Sequence, residues 1–451
     1  MKDTQNKDIH VFAKAINKYI NLLNSQMETF PLIMNTLVFR LKACYERVND
    51  FITKNNIEKT KNDDNITIKI PFKLNKEFTK YMKEINQSLS AIQLIPKNIV
   101  VAFVSIYDAF LSDIIEGIYK LRPELLNTCE KEYSFSDILK FNSIDEIKDN
   151  IIEKEVESVL RESHTKQFEW LSKKLSIKLT EDLPNYKHFI EITERRNLFV
   201  HTNGKVSRQY LSAIPEESTK IKLGDTLEAS PEYVVHCYRI LFEIGVKLGQ
   251  VIWRKLDEKN SLEEADDLLI NIIYDLLKNK KYNLGITLSE FATQKYIKNY
   301  NKASEYVKCV NKSLAYYLSG DKEKCTSIIQ SIDWSATDYT YRLAALVLEE
   351  KFDEACELMK KIGRNENMMN AYQEWPLFTN FRETDIFKST YKEIYQTNFD
   401  YIETQSLEWE DVIKEAINFI NTKNNNQIES EDVNFSEELH ENISTKSKDE
   451  E

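Results

Sequence analysis

The chain has 451 residues, 42% of them hydrophobic, and a formal net charge of −12; that length suits two to four domains, and that apolar content excludes wholesale disorder. Only eight residues are glycine and eight are proline, which argues for long helices joined by short polar turns and against sandwiches and barrels, whose many turns need glycine. No G-x-G-x-x-G or G-x-x-x-x-G-K-[ST] spacing occurs, which argues against dinucleotide-binding and P-loop folds.

Met1 to His10 is polar and charged, so no signal peptide is expected. The first ninety residues read as two or three helices broken by the polar run from Lys59 to Asp64. The alternating piece from Ile66 to Ile70 is either a strand or an extended linker ending at Pro71. Residues 99–121 read as a strong helix stopped at Pro123. Its most apolar part, 99–111, is interrupted by Asp108 and is expected to be too short to cross a bilayer. Residues 143–175 carry a charged amphipathic pattern, in which Arg161 and His164, three apart, are read as a solvated face, with contact to a substrate as the alternative. A helix over 185–203 follows Pro184 and ends at Gly204, which can take the left-handed cap conformation. Pro231 opens another, running to about Leu256.

From Ser261 onward the pattern changes to short helices in pairs. Lys281-Tyr282-Asn283-Leu284-Gly285, Asp321-Lys322-Glu323-Lys324-Cys325 and Lys351-Phe352-Asp353-Glu354-Ala355 overlay one another. Each follows a helix and opens the next, with a small residue where two helices would cross closely. These junctions resemble the G-D-Y-x-x-A junction of tetratricopeptide repeats, best in the third. Their small residues are 40 and 30 positions apart, so the repeat is degenerate. A last amphipathic helix with Val412, Ile413, Ala416, Ile417 and Ile420 on one face is expected to cap them. Beyond Thr422 the chain is polar and acidic and is expected to be disordered.

The six cysteines are scattered, with no C-x-x-C and no zinc-ligand spacing, and read as buried small hydrophobes in a reducing cytosol. Charge is uneven: residues 421–451 hold nine acidic and three basic side chains, whereas 185–210 hold five Lys/Arg against two Glu. An overall negative charge therefore leaves room for an RNA substrate.

The stretch from Glu194 to Val206 carries the chemistry. Phe189, Ile192, Arg196 and Phe199 fall on one stripe at intervals of 3, 4 and 3 residues, so Arg196 is a cation in an apolar face and needs a partner there. Asn197 and His201, four apart, share the neighbouring face. A guanidinium, an amide and an imidazole are expected to converge near one helix end. They are the groups that phosphodiester cleavage without metal requires: an imidazole that exchanges a proton near neutral pH and a guanidinium that holds phosphate. Asp108, on the face of Val101, Val104, Leu111 and Ile115, is expected to be buried with Arg195 or Arg196 as counter-ion. It either orients the arginine for catalysis or forms a structural ion pair. His10, His188, His236 and His440 have no partner at catalytic or ligand spacing and are assigned no role.

Arg196-Asn197-x-x-x-His201 resembles the R-x(4–6)-H motif of the HEPN superfamily, including the polar residue after the arginine. The wider run Arg-Arg-Asn-Leu-Phe-Val-His-x-x-Gly-x-Val, continuing to Tyr210 and Leu211, is similar to bacterial members, and the likeness spans roughly residues 95–255. It implies a helical bundle and a metal-independent ribonuclease of anti-phage defence (abortive infection) or a toxin-like stress response. It also implies catalytic Arg196, Asn197 and His201, support from Arg195 and Asp108, no metal and no cofactor. Two positions beyond His201 stands Asn203 rather than tyrosine, so control by adenylylation, as in R-x(4)-H-x-Y relatives, is not implied. The fold expectation is all-α, a HEPN-like bundle followed by a degenerate tetratricopeptide-like α-solenoid. Its regions are 1–90 (N-terminal helices), 91–258 (HEPN-like domain), 259–422 (helical repeats with a capping helix) and 423–451 (tail). The expected partners are RNA, a second copy of the chain through the HEPN domain, and a protein partner or trigger on the repeats; the expected place is the cytoplasm, without membrane. The alternatives are a non-catalytic helical scaffold and an RNA-binding protein that does not cleave.

Overall fold

A computed structural model describes residues 9–62, 65–128, 134–181, 183–214 and 221–400. The expected capping helix, the acidic tail, Cys129 and His440 lie outside the described residues. Among the described residues the fold is all-α apart from one β-hairpin. The polar run at Lys59 is not a simple helix break: β1 (Lys59–Asn62) pairs antiparallel with β2 (Asn65–Ile68). It connects two long helices, α1 (Val11–Lys54) and α2 (Phe72–Leu121), each with one internal proline, Pro31 and Pro96. Helix α2 thus begins well before the expected start at residue 99. It contains an 18-residue window of mean hydropathy 1.7, long and apolar enough by length and composition to cross a membrane. The window overlaps the 99–111 stretch and runs past it on the C-terminal side, beyond the length weighed in the sequence.

The described chain divides into two compact units. One takes in Gln26–Ile99 and Glu228–Val234, with Arg47 ion-paired to Glu84 and Lys97 to Glu228. The other takes in Met1–Ser25, Val100–Leu227 and Val235–Ser406 and holds all the candidate site residues. Its core is built on α2, where Val100, Phe103, Val104, Tyr107, Leu111, Ile114, Ile115 and Ile118 are fully buried. Their 3- and 4-residue spacing makes one continuous apolar stripe. The start of α1 packs into this core beside α8 (Pro231–Lys278). Gly245 and Gly249 of α8 permit the approach: a Cβ on Gly245 would stand 2.2 Å from the Tyr19 ring, and one on Gly249 2.8 Å from Ile16.

Between α2 and α8 come the short α3 (Phe135–Ile138), α4 (Ile144–Leu160), α5 (His164–Leu175), α6 (Tyr186–Thr202) and α7 (Arg208–Ala213). Ser143 caps α4 and Ser163 caps α5, each satisfying a free amide of the first turn. Helix α8 carries non-helical backbone at Asp257 and Ser261, where the sequence reading ends its helix near Leu256.

The three overlaid junctions each open a helix: α9 (Tyr282–Ala292), α11 (Lys322–Gln330) and α13 (Phe352–Ile362). In all three the preceding helix ends on a positive-φ residue, Lys280, Gly320 or Glu350. The next amide then reaches back five residues, Lys281 to Leu276, Asp321 to Tyr316 and Lys351 to Leu346, at 2.8–2.9 Å. This is a Schellman-type closure made three times. The small residues Gly285, Cys325 and Ala355 are buried, and a Cβ on Gly285 would meet Leu277 at 2.7 Å. Helices α10 (Lys302–Leu318) and α12 (Tyr339–Leu348) complete the pairs, followed by α14 (Glu366–Glu374) and α15 (Asp385–Tyr395).

A buried polar knot crosses position 258/259. Asp266 accepts from Arg254 Nη2 at 2.7 Å, Lys308 Nζ at 2.6 Å and the Tyr300 amide at 2.7 Å, while Arg254 Nη1 donates to the Lys298 carbonyl. Of the cysteines, Cys44, Cys237, Cys325 and Cys356 are buried and Cys309 is half-buried, all as free thiols.

Candidate functional site

Helix α6 organises the site. Asn185 sits at its N-cap position and donates its amide to Glu243 at 2.7 Å rather than capping the helix. At the other end Asn203 adopts the left-handed conformation, followed by Gly204 at φ +87°. The Gly204 amide closes on the Leu198 carbonyl, and its own carbonyl receives the Leu227 amide at 2.9 Å. A Cβ on Gly204 would lie 2.4 Å from the Leu227 carbonyl oxygen. The chain after the motif is therefore pinned by backbone bonds that require glycine.

The helix presents three chemically distinct faces. On the first, Phe189 and Ile192 are buried, and Arg196 Nη2 donates to Asp108 Oδ2 at 2.8 Å. The other Asp108 oxygen is 3.0 Å from His164 Nε2. The side chains of His164, Arg196 and Asp108 are 8%, 20% and 30% exposed. Asp108 is therefore less buried than the sequence suggested, and of its two expected counter-ions Arg196 is the one engaged. Arg196 Nε is buried with no hydrogen-bond partner among the described residues, as is the hydroxyl of neighbouring Tyr107. Burial and the Asp108 charge hold the Tyr107 hydroxyl well above the usual phenol range.

His164 corrects the sequence reading. It does not share a solvated helix face with Arg161: α4 ends at Leu160, and His164 begins α5 with its ring against Tyr107 and Phe189. Arg161 does lie outside, paired with Glu157. The signal was present in the sequence, because His164, Phe168, Leu171 and Leu175 follow 4, 3 and 4 spacing and form the buried stripe of α5.

On the second face Arg195 is engaged away from Asp108. Its Nε donates to Glu191 at 2.7 Å and its Nη2 to the Tyr210 hydroxyl at 3.2 Å, while that hydroxyl donates to Glu191 at 2.6 Å. Burial and the Glu191 charge raise the Tyr210 phenol strongly. His188 and His236, assigned nothing from the sequence, meet edge to face near this cluster, with ring centroids 5.4 Å apart. Burial, followed by the charge of His188, lowers the pKa of His236.

The third face carries Glu194, Asn197 and His201 at i, i+3 and i+7. His201 is exposed and Asn197 half-buried, and neither makes a hydrogen bond or ion pair among the described residues. Helical geometry sets His201 about 140° around the axis from Arg196. The structure thus brings Asp108, Arg196 and His164 together and gives Arg195 to Glu191. Asn197 and His201 lie about 100° and 140° around the helix from Arg196, so the guanidinium, amide and imidazole do not converge within one copy of the chain. Among the described residues no group of three or more His, Cys, Asp or Glu is placed to hold a metal ion.

Compared with known proteins, the chain matches no family model and no solved structure.

Proposed function

We propose that the chain is a metal-independent endoribonuclease of HEPN type, serving bacterial anti-phage defence or a toxin-like stress response. The observation that carries this reading is the arrangement on α6. Arg196 is held by Asp108 with one buried donor unpaired, and the Asn197–His201 face ends in an exposed imidazole. In the reaction the ribose 2′-oxygen attacks phosphorus, the bond to the 5′-oxygen breaks, and a 2′,3′-cyclic phosphate and a free 5′-hydroxyl result. A base takes the 2′-hydroxyl proton and an acid supplies one to the leaving oxygen. His201 is the base or the acid, Arg196 stabilises the negative charge of the phosphorane, and Asn197 positions the phosphate or the imidazole.

One imidazole cannot stand at both oxygens in one step. His164 is too deeply buried to supply the second, so the reading includes a homodimer whose paired α6 helices contribute two copies of His201. The helix pairs after residue 261 are read as a tetratricopeptide-like surface for a protein partner or trigger, and the chain as cytoplasmic. The test is RNA integrity after expression of wild type and of His201→Ala. Fragments ending in cyclic phosphate with wild type alone support the reading; intact RNA in both, or equal degradation in both, overturns it.

A rival reading has its own observation. Asp108 pairs with Arg196 and His164 together, the arrangement that a structural cation in a protein-binding scaffold would also make. Under it His201→Ala changes nothing.

A further inference from the structure

A groove of about 400 Å³ opens beside the third face of α6, lined by Ser163, Tyr186, Lys187, Ile190, Glu194 and Gln209 among others. Glu194 is its most unusual member, a carboxylate only 8% exposed with no ion pair among the described residues. Its Oε2 accepts from Gln209 Nε2 at 2.9 Å, and its Oε1 accepts nothing among the described residues. That oxygen is open to the groove, where a ligand donor can take the place of water. The Gln209 amide nitrogen keeps a second N–H, while Glu194 Oε1 offers the groove an acceptor.

The groove and the Asn197–His201 pair share one face of α6. Lys187, Ile190, Glu194, Asn197 and His201 lie along one stripe of α6. His201 stands seven residues beyond Glu194, about 10 Å along the axis. The volume lies in the range of small-ligand sites and suits a single base with its sugar. The exposed cations Lys187, Lys205 and Arg208 on α6 and in the segment that follows suit a polyanion and oppose a basic peptide, the other ligand a lone carboxylate attracts.

We propose that the groove is a base-reading subsite for the nucleotide next to the scissile phosphate, selecting bases that carry an exocyclic amino group and rejecting uracil. The proposal rests on the RNA reading above. An amino group donates to Glu194 as cytosine N4 donates to acidic side chains in nucleic-acid recognition. Uracil offers only its N3–H there, between two carbonyl oxygens that oppose the carboxylate.

The experiment measures binding of single-stranded oligo-A, oligo-C and oligo-U by fluorescence anisotropy, using the full chain carrying His201→Ala so that no probe is cut. We expect A and C to bind roughly tenfold more tightly than U. Adding Glu194→Gln, which offers an amide donor to uracil, is expected to level the series by strengthening U and weakening A and C. A merely structural Glu194 would instead weaken all three alike. Gln209→Ala serves as the second variant, expected to reduce selectivity without removing the carboxylate, should Glu194→Gln fold poorly. Equal affinities in the starting protein, or a preference that neither variant changes, would overturn the subsite. Wild-type cleavage of a mixed-sequence RNA separates the two readings. Cutting without base preference sinks the subsite and leaves the nuclease. Selective binding without cutting keeps the subsite and sinks the nuclease. Capture of a basic peptide with no RNA binding sinks both.

Discussion

Asp108 and Arg196, 88 positions apart in sequence, meet through one hydrogen bond of 2.8 Å, and the second oxygen of the same carboxylate reaches His164. The carboxylate couples a helix of the core to the arginine of the motif, and its orientation fixes which way the guanidinium points. Removing the charge leaves Arg196 partly buried without its counter-ion. Asp108→Asn is expected to lower unfolding stability by about 1–3 kcal/mol. In a double-mutant cycle with Arg196→Gln, the combined loss should be smaller than the sum of the single losses. Strictly additive urea-unfolding energies would show that the two residues are not coupled.

His236 gives a pH prediction. Its folded-state pKa is lowered, first by burial and then by His188, so between that value and the unfolded value of 6.5 the unfolded chain binds the proton more readily. Stability from this group is complete above pH 6.5 and is lost as pH falls toward the folded pKa. Unfolding midpoints measured from pH 7.5 to 5 should fall less steeply for His236→Gln than for wild type. Parallel curves would rule out this contribution.

Asp266 is the sole carboxylate joined to the buried cations Arg254 and Lys308 among the described ion pairs. Asp266→Ala strands both charges and is expected to cost about 3–5 kcal/mol, seen as a large drop in denaturation midpoint. A fragment ending at residue 258 keeps Arg254 but loses both Asp266 and the Lys298 carbonyl. It should unfold at lower denaturant than the full chain, and matching midpoints would show that the knot contributes nothing.

The nuclease reading predicts cleavage that persists in excess chelator, since the groups assigned to it are an imidazole, a guanidinium and an amide. Loss of cutting in EDTA with rescue by magnesium would end that mechanism. Co-expressing His201→Ala with wild type should reduce specific activity more than dilution alone, because mixed dimers hold one imidazole. Activity proportional to the wild-type fraction would mean that each copy works by itself.

Much of this was legible in local sequence. The scarcity of glycine and proline announced helices. The 3–4–3 spacing of Phe189, Ile192, Arg196 and Phe199 placed the arginine in an apolar face before any partner was known. The likeness of the junctions at Lys281, Asp321 and Lys351 located three turns that share one set of backbone bonds. Such features are short-range, since helix faces and caps are decided by residues three to five apart. Which faces meet was decided only in the tertiary structure. Sequence spacing set His164 aside as solvated, and folding carried it onto Asp108, 56 residues away. The two arginines are adjacent in the chain, yet they point about 100° apart on the helix, so one belongs to Asp108 and the other to Glu191. The polar run at Lys59 became a strand because a second segment lay within hairpin reach. A carboxylate or imidazole acquires its role from the neighbours that bury and pair it, and those neighbours come from distant helices whose packing no local spacing records.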